Sequence, residues 1–374
     1  MTNLDVEIAK PDRMLFPEIG ITRGDLADYY SFVEVELLRG LQDRPVIMKR
    51  HPKGVTGEHF YQKRVPKNAP PWVNTALLTY DSGHWTQQVV VKDLKTVHYL
   101  LNLGCIDMHP LPVRAHDLHH PDRLRIDLDP VPGVPFSLVI EVALMVRDVL
   151  SDHGLTGFAK TTGGRGMHIY VPITPTEVTD TVWTAGRAIA RELETVSAGK
   201  ATSQWRKENR TGVLVDYNQN ARDRHMASVY SVRPTPDARV STPVSWDEVP
   251  HVDPADFTIE TVPERIDDVG DPWAAIDRIS PGSLTSLLEL AHGQQARGLW
   301  DGPAKPAKPV IVVAASASEA ELDTALEIWK QQHPQAAAYL RPADVLSDRM
   351  RGASKPWFRL RLNLENVPET LRPQ

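Results

Sequence analysis

The stretch Leu124-Arg125-Ile126-Asp127-Leu128-Asp129-Pro130 alternates apolar and polar side chains. Alternate residues of a β-strand share a face, so Arg125, Asp127 and Asp129 are predicted to face away from the core. The two carboxylates would lie roughly 6–7 Å apart at the backbone. Their repulsion is unfavourable unless cations lie between them, and oxygen ligands favour hard ions. The pair therefore predicts a site for Mg²⁺ or Mn²⁺.

A third carboxylate, Asp216, ends the apolar run Val213-Leu214-Val215. An acid at the end of a buried run is costly unless it is paired or coordinated. Three carboxylates can hold two metal ions about 4 Å apart, which is an arrangement used for nucleotidyl transfer. Simpler interpretations remain open: Asp127 and Asp129 could belong to a solvated edge strand, and Asp216 could begin a turn.

A glycine-rich segment, Lys160-Thr161-Thr162-Gly163-Gly164-Arg165-Gly166-Met167-His168, connects two predicted strands. Backbone N–H groups in such a turn can converge on an anion, and the segment adds a hydroxyl and basic side chains. We therefore predict a triphosphate site that includes Thr162, Gly163, Arg165 and His168. The segment is not a Walker A loop, because no Gly-Lys-Ser/Thr leads into a helix. A glycine-rich β-turn with solvated charges is the alternative.

Basic and aromatic residues concentrate between Arg44 and Lys67, although the whole chain has a net charge of −6. Strand alternation would place two adjacent rings, Phe60 and Tyr61, on opposite faces, where an exposed ring can stack on a base and contribute about 1–3 kcal/mol. The alternative places Phe60 in the core. The predicted nucleic-acid contacts in this segment are Lys49, Arg50, Phe60, Tyr61 and Lys63.

Histidines and arginines extend the candidate site. His109, His116, His119 and His120 fall within twelve residues, with Asp117 among them. An iron or zinc site there is conceivable, but His109 is the better candidate for contact with a substrate. Arg224 and Arg233 belong to a group of arginines around Asp216 that suits phosphate binding.

Composition and patterning favour one large catalytic region with a small appendage. The 374 residues contain 31 prolines and a single cysteine, Cys105, which excludes an internal disulfide framework. Irregularly alternating strands and helices predict an α/β or α+β fold with a mixed sheet. We expect a catalytic domain over 1–300, a linker over 301–309, and an appendage over 310–374 packed on the core. No membrane association and a cytoplasmic location at the nucleoid are expected.

Several motifs, in order, resemble the polymerase domain of bacterial ligase D, a member of the archaeo-eukaryotic primase superfamily. They are the segments beginning at Lys49 (KRHPKG), Phe60 (FYQK), Asp107 (DMHP), Arg125 (RIDLDP), Lys160 (KTTGGRGMHIYVP) and Val215 (VDYNQN), followed by YSVR at Tyr230. The resemblance covers about residues 5–250. It implies a primase-polymerase core with mixed, largely antiparallel sheets flanked by helices. No ligase signature is recognisable, so a stand-alone member is expected.

The resemblance also implies roles for individual residues. Asp127, Asp129 and Asp216 would bind two divalent ions. The incoming nucleotide would be held by Thr162, Arg165, His109, Gln219 and Arg233, with His168 close by. Phe60 and Tyr61 would stack on template DNA. Arg13 and Arg23 stand where the family has a lysine pair that binds a 5′-phosphate.

The expected function is addition of ribonucleotides or deoxyribonucleotides to a primer 3′-hydroxyl, in gap filling or double-strand-break end joining. The expected partners are DNA that is gapped or broken and carries a 5′-phosphate, NTP or dNTP substrates, a DNA ligase, and an end-binding protein such as Ku. Two alternatives remain: a primase that starts strands without a primer, and a non-catalytic protein that binds and bridges DNA ends.

Overall fold

The computed structural model describes residues 6–79, 85–300, 310–316, 318–349 and 358–373. The chain divides into two compact units, one formed by residues 1–78 and 85–299 and the other by 79–84 and 300–374. The predicted linker, 301–309, lies outside the described residues. Packing of the appendage on the core stays a prediction. No helix of the described part is long and apolar enough to cross a membrane.

The first unit contains thirteen of the described strands and seven of the described α-helices. In chain order they are β1 Met14–Phe16, β2 Ile21–Thr22, α1 Arg23–Phe32, α2 Glu34–Leu41, β3 Arg44–Arg50, β4 Phe60–Gln62, β5 Thr75–Thr79, β6 Trp85–Val91, α3 Leu94–Asn102, β7 Cys105–Pro110, β8 Arg123–Pro130, α4 Phe136–Asp152, β9 Phe158–Thr161, β10 Met167–Pro172, α5 Thr179–Val196, β11 Ala201–Thr202, β12 Val213–Val215, β13 Pro243–Val244, α6 Thr261–Val269 and α7 Thr285–Ala296.

The predicted metal-binding strand, β8, lies inside a six-stranded sheet of order β11-β12-β8-β10-β9-β13. Only β11 and β12 pair in parallel; the other described pairs of this sheet are antiparallel. One face of β8 is apolar, as its alternation predicts, with Leu124, Ile126 and Leu128 buried. Helix α4 buries its apolar face, including Val142 and Val146, in the same hydrophobic core.

A second sheet has the order β4-β3-β6-β5, with β7 also paired to β3. It brings the predicted basic and aromatic segment beside His109, which pairs with Ile47 across the β3–β7 ladder. Helices α1 and α3 contribute to the same core through residues such as Leu26 and Leu100. The mixed, largely antiparallel architecture confirms the predicted fold class.

The spacing of Thr22 and Asp25 predicts a capping box, and helix α1 begins with it. Thr22 accepts a hydrogen bond from the Asp25 backbone, and the Asp25 carboxylate accepts one from the backbone N–H of Thr22 at 2.8 Å. Apolar residues at helical spacing predict that the helix continues to about Leu41, but the structure interrupts it at Val33. Val33 is completely buried, so the chain bends there to keep both helices against the core.

The second unit is a three-stranded antiparallel sheet of order β14-β16-β15 with helix α8 against it. Its elements are β14 Val310–Ser316, α8 Glu319–Gln332, α9 Pro334–Ala337, β15 Val345–Arg349 and β16 Phe358–Asn363. Leu322 and Trp329 are buried on α8, as the helical spacing predicts. The sequence spacing of Ser316 and Glu319 predicts a capping box at the start of this helix, but Ser318 precedes α8, and the Ser316 hydroxyl donates to the Glu321 carboxylate instead.

Candidate active site

Asp127 and Asp129 lie on one face of β8, but their surroundings differ. Asp127 is only 6% exposed, whereas Asp129 is exposed near the end of the strand. The neighbouring strand β10 places His168 directly opposite Asp127, with His168 Nε2 3.2 Å from Asp127 Oδ1. Arg125, on the same face, is 1% exposed. The face is therefore enclosed around Arg125 and Asp127, and the solvated-edge interpretation is wrong for Asp127.

Asp216 follows β12 and comes next to Asp127. Its backbone N–H donates to the Asp127 carbonyl at 2.8 Å, and its carboxylate accepts from the backbone N–H of Asn218 at 3.0 Å. The Gln219 side-chain amide lies between the two acids, with Nε2 3.1 Å from Asp127 Oδ2 and 3.2 Å from Asp216 Oδ2. Asp216 thus caps a turn, as its simpler interpretation states, and also belongs to the carboxylate group.

The three carboxylates affect one another strongly. Burial and then the charge of Asp216 raise the pKa of Asp127 to about 7. The charge of Asp127 and then burial raise the pKa of Asp129 to about 7. Asp127 Oδ1 is buried and accepts no hydrogen bond within the described part of the chain. A cation beside this group would relieve the repulsion.

The donor chemistry fits hard divalent ions, since all three acids offer oxygen ligands. The described residues nevertheless contain no group of three His, Cys, Asp or Glu side chains gathered closely enough to enclose an ion. The Gln219 amide donates to two of these carboxylates, Asp127 and Asp216. The amide lies between Asp127 and Asp216 and stabilises the negative charge on both carboxylates.

The glycine-rich turn between β9 and β10 is organised by its own threonine. The Thr162 hydroxyl accepts hydrogen bonds from the backbone N–H groups of Gly164 at 3.0 Å and Gly166 at 3.3 Å. Gly163 has φ of +67°, and a Cβ there would lie 2.5 Å from Cγ of Arg233. A Cβ on Gly166 would lie 2.2 Å from the Leu128 carbonyl oxygen. Glycine therefore permits a tight turn that packs directly on β8 and on Arg233.

These elements surround an open cleft with about 350 Å³ of accessible space, which is enough for a nucleotide-sized ligand. Its lining residues come from both sheets and the connecting loops: Tyr61, His109, Asp127, Asp129, Pro130, Thr162, Gly164, Arg165, His168, Gln219, His225, Met226, Ala227 and Arg233. Asp216 does not line the cleft itself and is linked to it through Gln219.

The structure brings together most of the predicted nucleotide-binding residues. The six that line the cleft are His109, Thr162, Arg165, His168, Gln219 and Arg233. Two others do not line it. Gly163 shapes the turn behind the cleft, and Arg224 has an exposed side chain, its carbonyl accepting from Arg125 Nη2 at 3.2 Å.

Both predicted stacking rings are accessible, Phe60 at 46% and Tyr61 at 54% exposure. The alternative that placed Phe60 in the core is therefore wrong. Tyr61 lines the cleft, whereas the Phe60 ring lies 5.3 Å from the guanidinium carbon of Arg50. Arg50 is fixed by hydrogen bonds to the Leu103 carbonyl at 2.7 Å and to Gln62 Oε1 at 2.8 Å. Arg50 therefore holds a fixed position against the Phe60 ring and stabilises the ring's orientation.

The remaining predicted DNA-binding residues occupy different surroundings. Lys63 is exposed, but Lys49 lies 3.5 Å from the buried carboxylate of Asp107. Arg13 is partly exposed, whereas Arg23 is 4% exposed and donates to the Ala9 carbonyl. Burial and then the positive charge of Arg13 lower the pKa of Arg23. The two arginines thus form a locally positive surface at which Arg13 is the accessible member.

The family model of the LigD primase-polymerase domain matches residues 22–273, about two thirds of the chain. The chain belongs to the LigD primase-polymerase family. That membership confirms the resemblance seen in the sequence and the predicted enzyme class, a nucleotidyltransferase of DNA repair.

Curated members of this family are considerably longer than the matched region. The chain is 31% identical over 273 residues to the multifunctional non-homologous end joining protein LigD of Pseudomonas aeruginosa, covering 72% of this chain and 32% of that protein. It is 31% identical over 325 residues to the LigD repair protein of Mycobacterium tuberculosis, covering 82% and 41%. The chain therefore spans about a third to two fifths of the length of these relatives.

A solved structure supports the same fold. The polymerase domain of Mycobacterium tuberculosis ligase D, in complex with DNA, matches with a TM-score of 0.70 and 29% identity. The match covers 75% of this chain and all of that one. The LigD primase-polymerase fold is thus present in the first unit, where the cleft lies.

Four residues with clear structural roles at the LigD-type cleft were not singled out from the sequence. Asp107 is a buried acid that contacts His109, and His225 lines the cleft. Arg125 donates to the Gln219 carbonyl, and Asn220 pairs with the backbone of Arg125 at 2.8 and 2.7 Å. A signal was available for Asp107 alone, because it lies two residues before His109 and shares its strand face.

The alternative metal site among the clustered histidines gains no support. His116 and His119 are exposed, and His120 Nδ1 pairs with Asp117 at 2.9 Å. In the part of the chain that the structure describes, this cluster supplies no set of three ligands suited to a metal ion.

Proposed function

We propose that this chain is a DNA-dependent polymerase that adds nucleotides to a primer 3′-hydroxyl during gap filling or end joining. The observation that carries the proposal is the cleft itself, which is lined by the mutually repelling Asp127 and Asp129, with Asp216 behind them, and by a glycine-rich turn and two arginines. Such a cleft suits a substrate that has both a triphosphate and bound cations. The relatives' names, which refer to non-homologous end joining, support the repair context.

Enzymes of this family generally use divalent metal ions, and we propose Mg²⁺ or Mn²⁺ held by Asp127, Asp129 and Asp216. When bound, such ions activate the attacking hydroxyl and stabilise the charge of the leaving pyrophosphate. Asp127 Oδ1 is buried and accepts no hydrogen bond among the described residues, although His168 Nε2 lies 3.2 Å away. This atom and the raised pKa values of Asp127 and Asp129 support the assignment.

The chain's own residues have complementary tasks in this mechanism. The side chains of Arg165, in the glycine-rich turn, and of Arg233 bind the triphosphate and stabilise its developing charge. His109, on β7, and His168, on β10, present their imidazole rings to the cleft. Tyr61 offers a ring against which the base or the template can stack.

We propose that the DNA is bound along the surface bearing Phe60, Tyr61, Lys63 and Arg13. The solved Mycobacterium tuberculosis domain was obtained in complex with DNA, which supports a nucleic-acid surface on this fold. Arg13 would contact a downstream 5′-phosphate, with Arg23 behind it adding positive charge. A DNA ligase and an end-binding protein of the Ku type are the proposed protein partners, at a site in the cytoplasm near the nucleoid.

Extension assays on matched DNA substrates test the proposed function. We expect nucleotide addition on a primed, gapped duplex carrying a 5′-phosphate, and no product on the unprimed template. Products from nucleotides and template alone would indicate a primase. Binding to DNA ends without any product, at saturating Mn²⁺ and nucleotide, would indicate a non-catalytic end binder and refute the proposal.

A further inference from the structure

Asp107, on β7, is a buried carboxylate that contacts a residue of the cleft. It is 1% exposed, and its Oδ2 lies 2.8 Å from His109 Nε2 and 3.5 Å from Lys49 Nζ. Arg233 Nε lies 3.8 Å from the same oxygen. Burial alone raises the pKa of Asp107, but the neighbouring positive charges outweigh it and hold that pKa well below its ordinary value. Asp107 is therefore ionised.

An ionised carboxylate can only accept hydrogen bonds, so His109 must carry a proton on Nε2. The other ring nitrogen, His109 Nδ1, lies 3.0 Å from Nδ1 of His225. A neutral His109 ring with its proton on Nε2 can only accept at Nδ1, so the proton between these two nitrogens belongs to His225. His109 is thus held at both ring nitrogens, by Asp107 on one side and by His225 on the other.

His225 also joins His109 to the aromatic side of the cleft. Its ring centre lies 5.0 Å from that of His109 and 5.5 Å from that of Tyr61. All three rings line the cleft that also contains Asp127. A ligand in the cleft therefore meets an imidazole whose orientation is set from behind by Asp107 and from the side by His225.

We propose that Asp107 and His225 are positioning residues for His109, which they hold in its Nε2-protonated form and in one orientation toward the nucleotide. Asp107 acts through His109, whereas His225 also forms part of the cleft wall. The inference rests on the proposed function in one respect only, namely that the ligand is a nucleotide. The protonation pattern of His109 follows from geometry and can be tested without any substrate.

The first test is long-range ¹H–¹⁵N NMR of the full chain labelled at histidine. We expect the His109 resonances of the unmodified protein to show a proton on Nε2 throughout the range in which the ring is neutral. In Asp107→Asn, whose side chain keeps the shape but loses the charge, both neutral tautomers should be populated. A predominantly Nδ1-protonated His109 in the unmodified protein would overturn the inference.

The second test is a double-mutant cycle in primer extension. We expect Asp107→Asn to raise the KM for the nucleotide about tenfold, equivalent to about 1.4 kcal/mol, with a smaller effect on kcat. In a His109→Ala background the same substitution should change KM by less than about twofold, because the side chain through which Asp107 acts is absent. If Asp107→Asn raised KM as much in the His109→Ala background as in the unmodified protein, the assignment to His109 would be overturned, and Asp107 would act through Arg233 instead.

A matched control is available in the same chain. Asp117 pairs with His120 at 2.9 Å in an exposed loop, so Asp117→Asn removes a carboxylate from an Asp–His pair outside the cleft. We expect it to leave both the His109 spectrum and the KM unchanged. His225→Asn serves as a second variant if Asp107→Asn is unstable. With Asp107 intact, His109 should keep its proton on Nε2, but the KM for the nucleotide should rise because the ring is then held at one nitrogen only; an unchanged KM would remove His225 from the positioning role.

The two levels of the proposal fail in different ways. If the unmodified protein does not extend primers but His109 carries its proton on Nε2, the polymerase assignment fails and the positioning geometry stands. If extension is robust while the tautomer or the cycle contradicts expectation, the positioning role fails and the polymerase assignment stands.

Discussion

The side-chain amide of Gln219 donates a hydrogen bond to the buried carboxylate of Asp127 at 3.1 Å. The same nitrogen lies 3.2 Å from Asp216, so one amide serves two acids that repel each other. The N–H groups of an amide carry partial positive charge but no full charge, so they offset only part of that repulsion. The carboxylate group therefore remains electrostatically unfavourable, with measurable consequences for stability.

Asp129→Asn should stabilise the metal-free protein at pH 8. The folded-state pKa of Asp129, about 7, exceeds the ordinary value near 3.9, so ionisation of this group opposes folding as pH rises between those two values. Removing the ionisable group should raise the Tm by about 2 °C or more at pH 8 and change it little at pH 4. Thermal unfolding in EDTA at both pH values measures this.

Addition of Mn²⁺ provides the control for that experiment. The ion should raise the Tm of the unmodified protein clearly more than that of Asp129→Asn, because one ligand is lost in the variant. Equal stabilisation of both proteins by Mn²⁺ would argue against Asp129 as a metal ligand.

Asp127→Asn should reduce primer extension at least about a hundredfold while DNA affinity changes less than about threefold. The substitution keeps the shape of the side chain and removes the charge that faces the proposed ions. Single-turnover extension and fluorescence anisotropy with a gapped duplex provide the two measurements. Asp148→Asn, an exposed acid of α4, is the matched control, and extension by Asp127→Asn at the control's rate would refute the metal assignment.

Arg125→Met should lower the activity of the protein while leaving its thermal stability nearly unchanged. Arg125 is completely buried, has no carboxylate partner among the described residues, and donates to the carbonyls of Gln219 and Arg224. An apolar side chain of similar length avoids the cost of burying a charge, so we expect a Tm within about 3 °C of the unmodified value. The Gln219 carbonyl loses the hydrogen bond that Arg125 donates. The loop is then held less firmly, so the kcat of primer extension should fall about tenfold.

The comparison variant is Arg125→Lys, which keeps the charge but offers a single donor group. It should unfold at a lower temperature than Arg125→Met because its ammonium is more strongly hydrated than a guanidinium. A methionine variant with full activity would show that the Gln219 loop does not depend on Arg125.

Arg13→Ala should abolish the preference for DNA with a downstream 5′-phosphate. A charge-assisted contact of this kind contributes about 1.5–3 kcal/mol when it is well formed, so we expect about a tenfold loss of affinity for the phosphorylated duplex alone. Arg147→Ala, which removes an exposed arginine of α4, is the control. Binding measured against 5′-hydroxyl DNA isolates the effect, and an equal loss on both duplexes would contradict it.

Strand β8 and the glycine-rich turn could be predicted from the sequence because each has a strong local pattern. The alternation around Asp127 specifies which side chains face the core, and the glycines around Arg165 specify a tight turn. The resemblance then placed His109, Gln219 and Arg233 near the same substrate. These features depend on residues that are neighbours in the sequence or members of recognisable motifs.

The contacts that organise the site could not be predicted in the same way. His225 meets His109 across 116 positions, and Asn220 meets Arg125 across 95. Neither pair has a local pattern that distinguishes it from an exposed loop residue. The burial of Arg23 was missed for the same reason, since its partner, the Ala9 carbonyl, lies on a segment without regular structure.

The absence of a side chain at Gly166 constrains how the sequences of such enzymes can evolve. Because a Cβ there would meet the Leu128 carbonyl oxygen at 2.2 Å, no other residue fits without separating the turn from the strand between the two acids. The site therefore depends on the groups that line the cleft and also on the space beside Gly166, which is too small for a methyl group. A distant relative could exchange many of the side chains around the cleft, yet lineages that fill this position would have to rebuild the site.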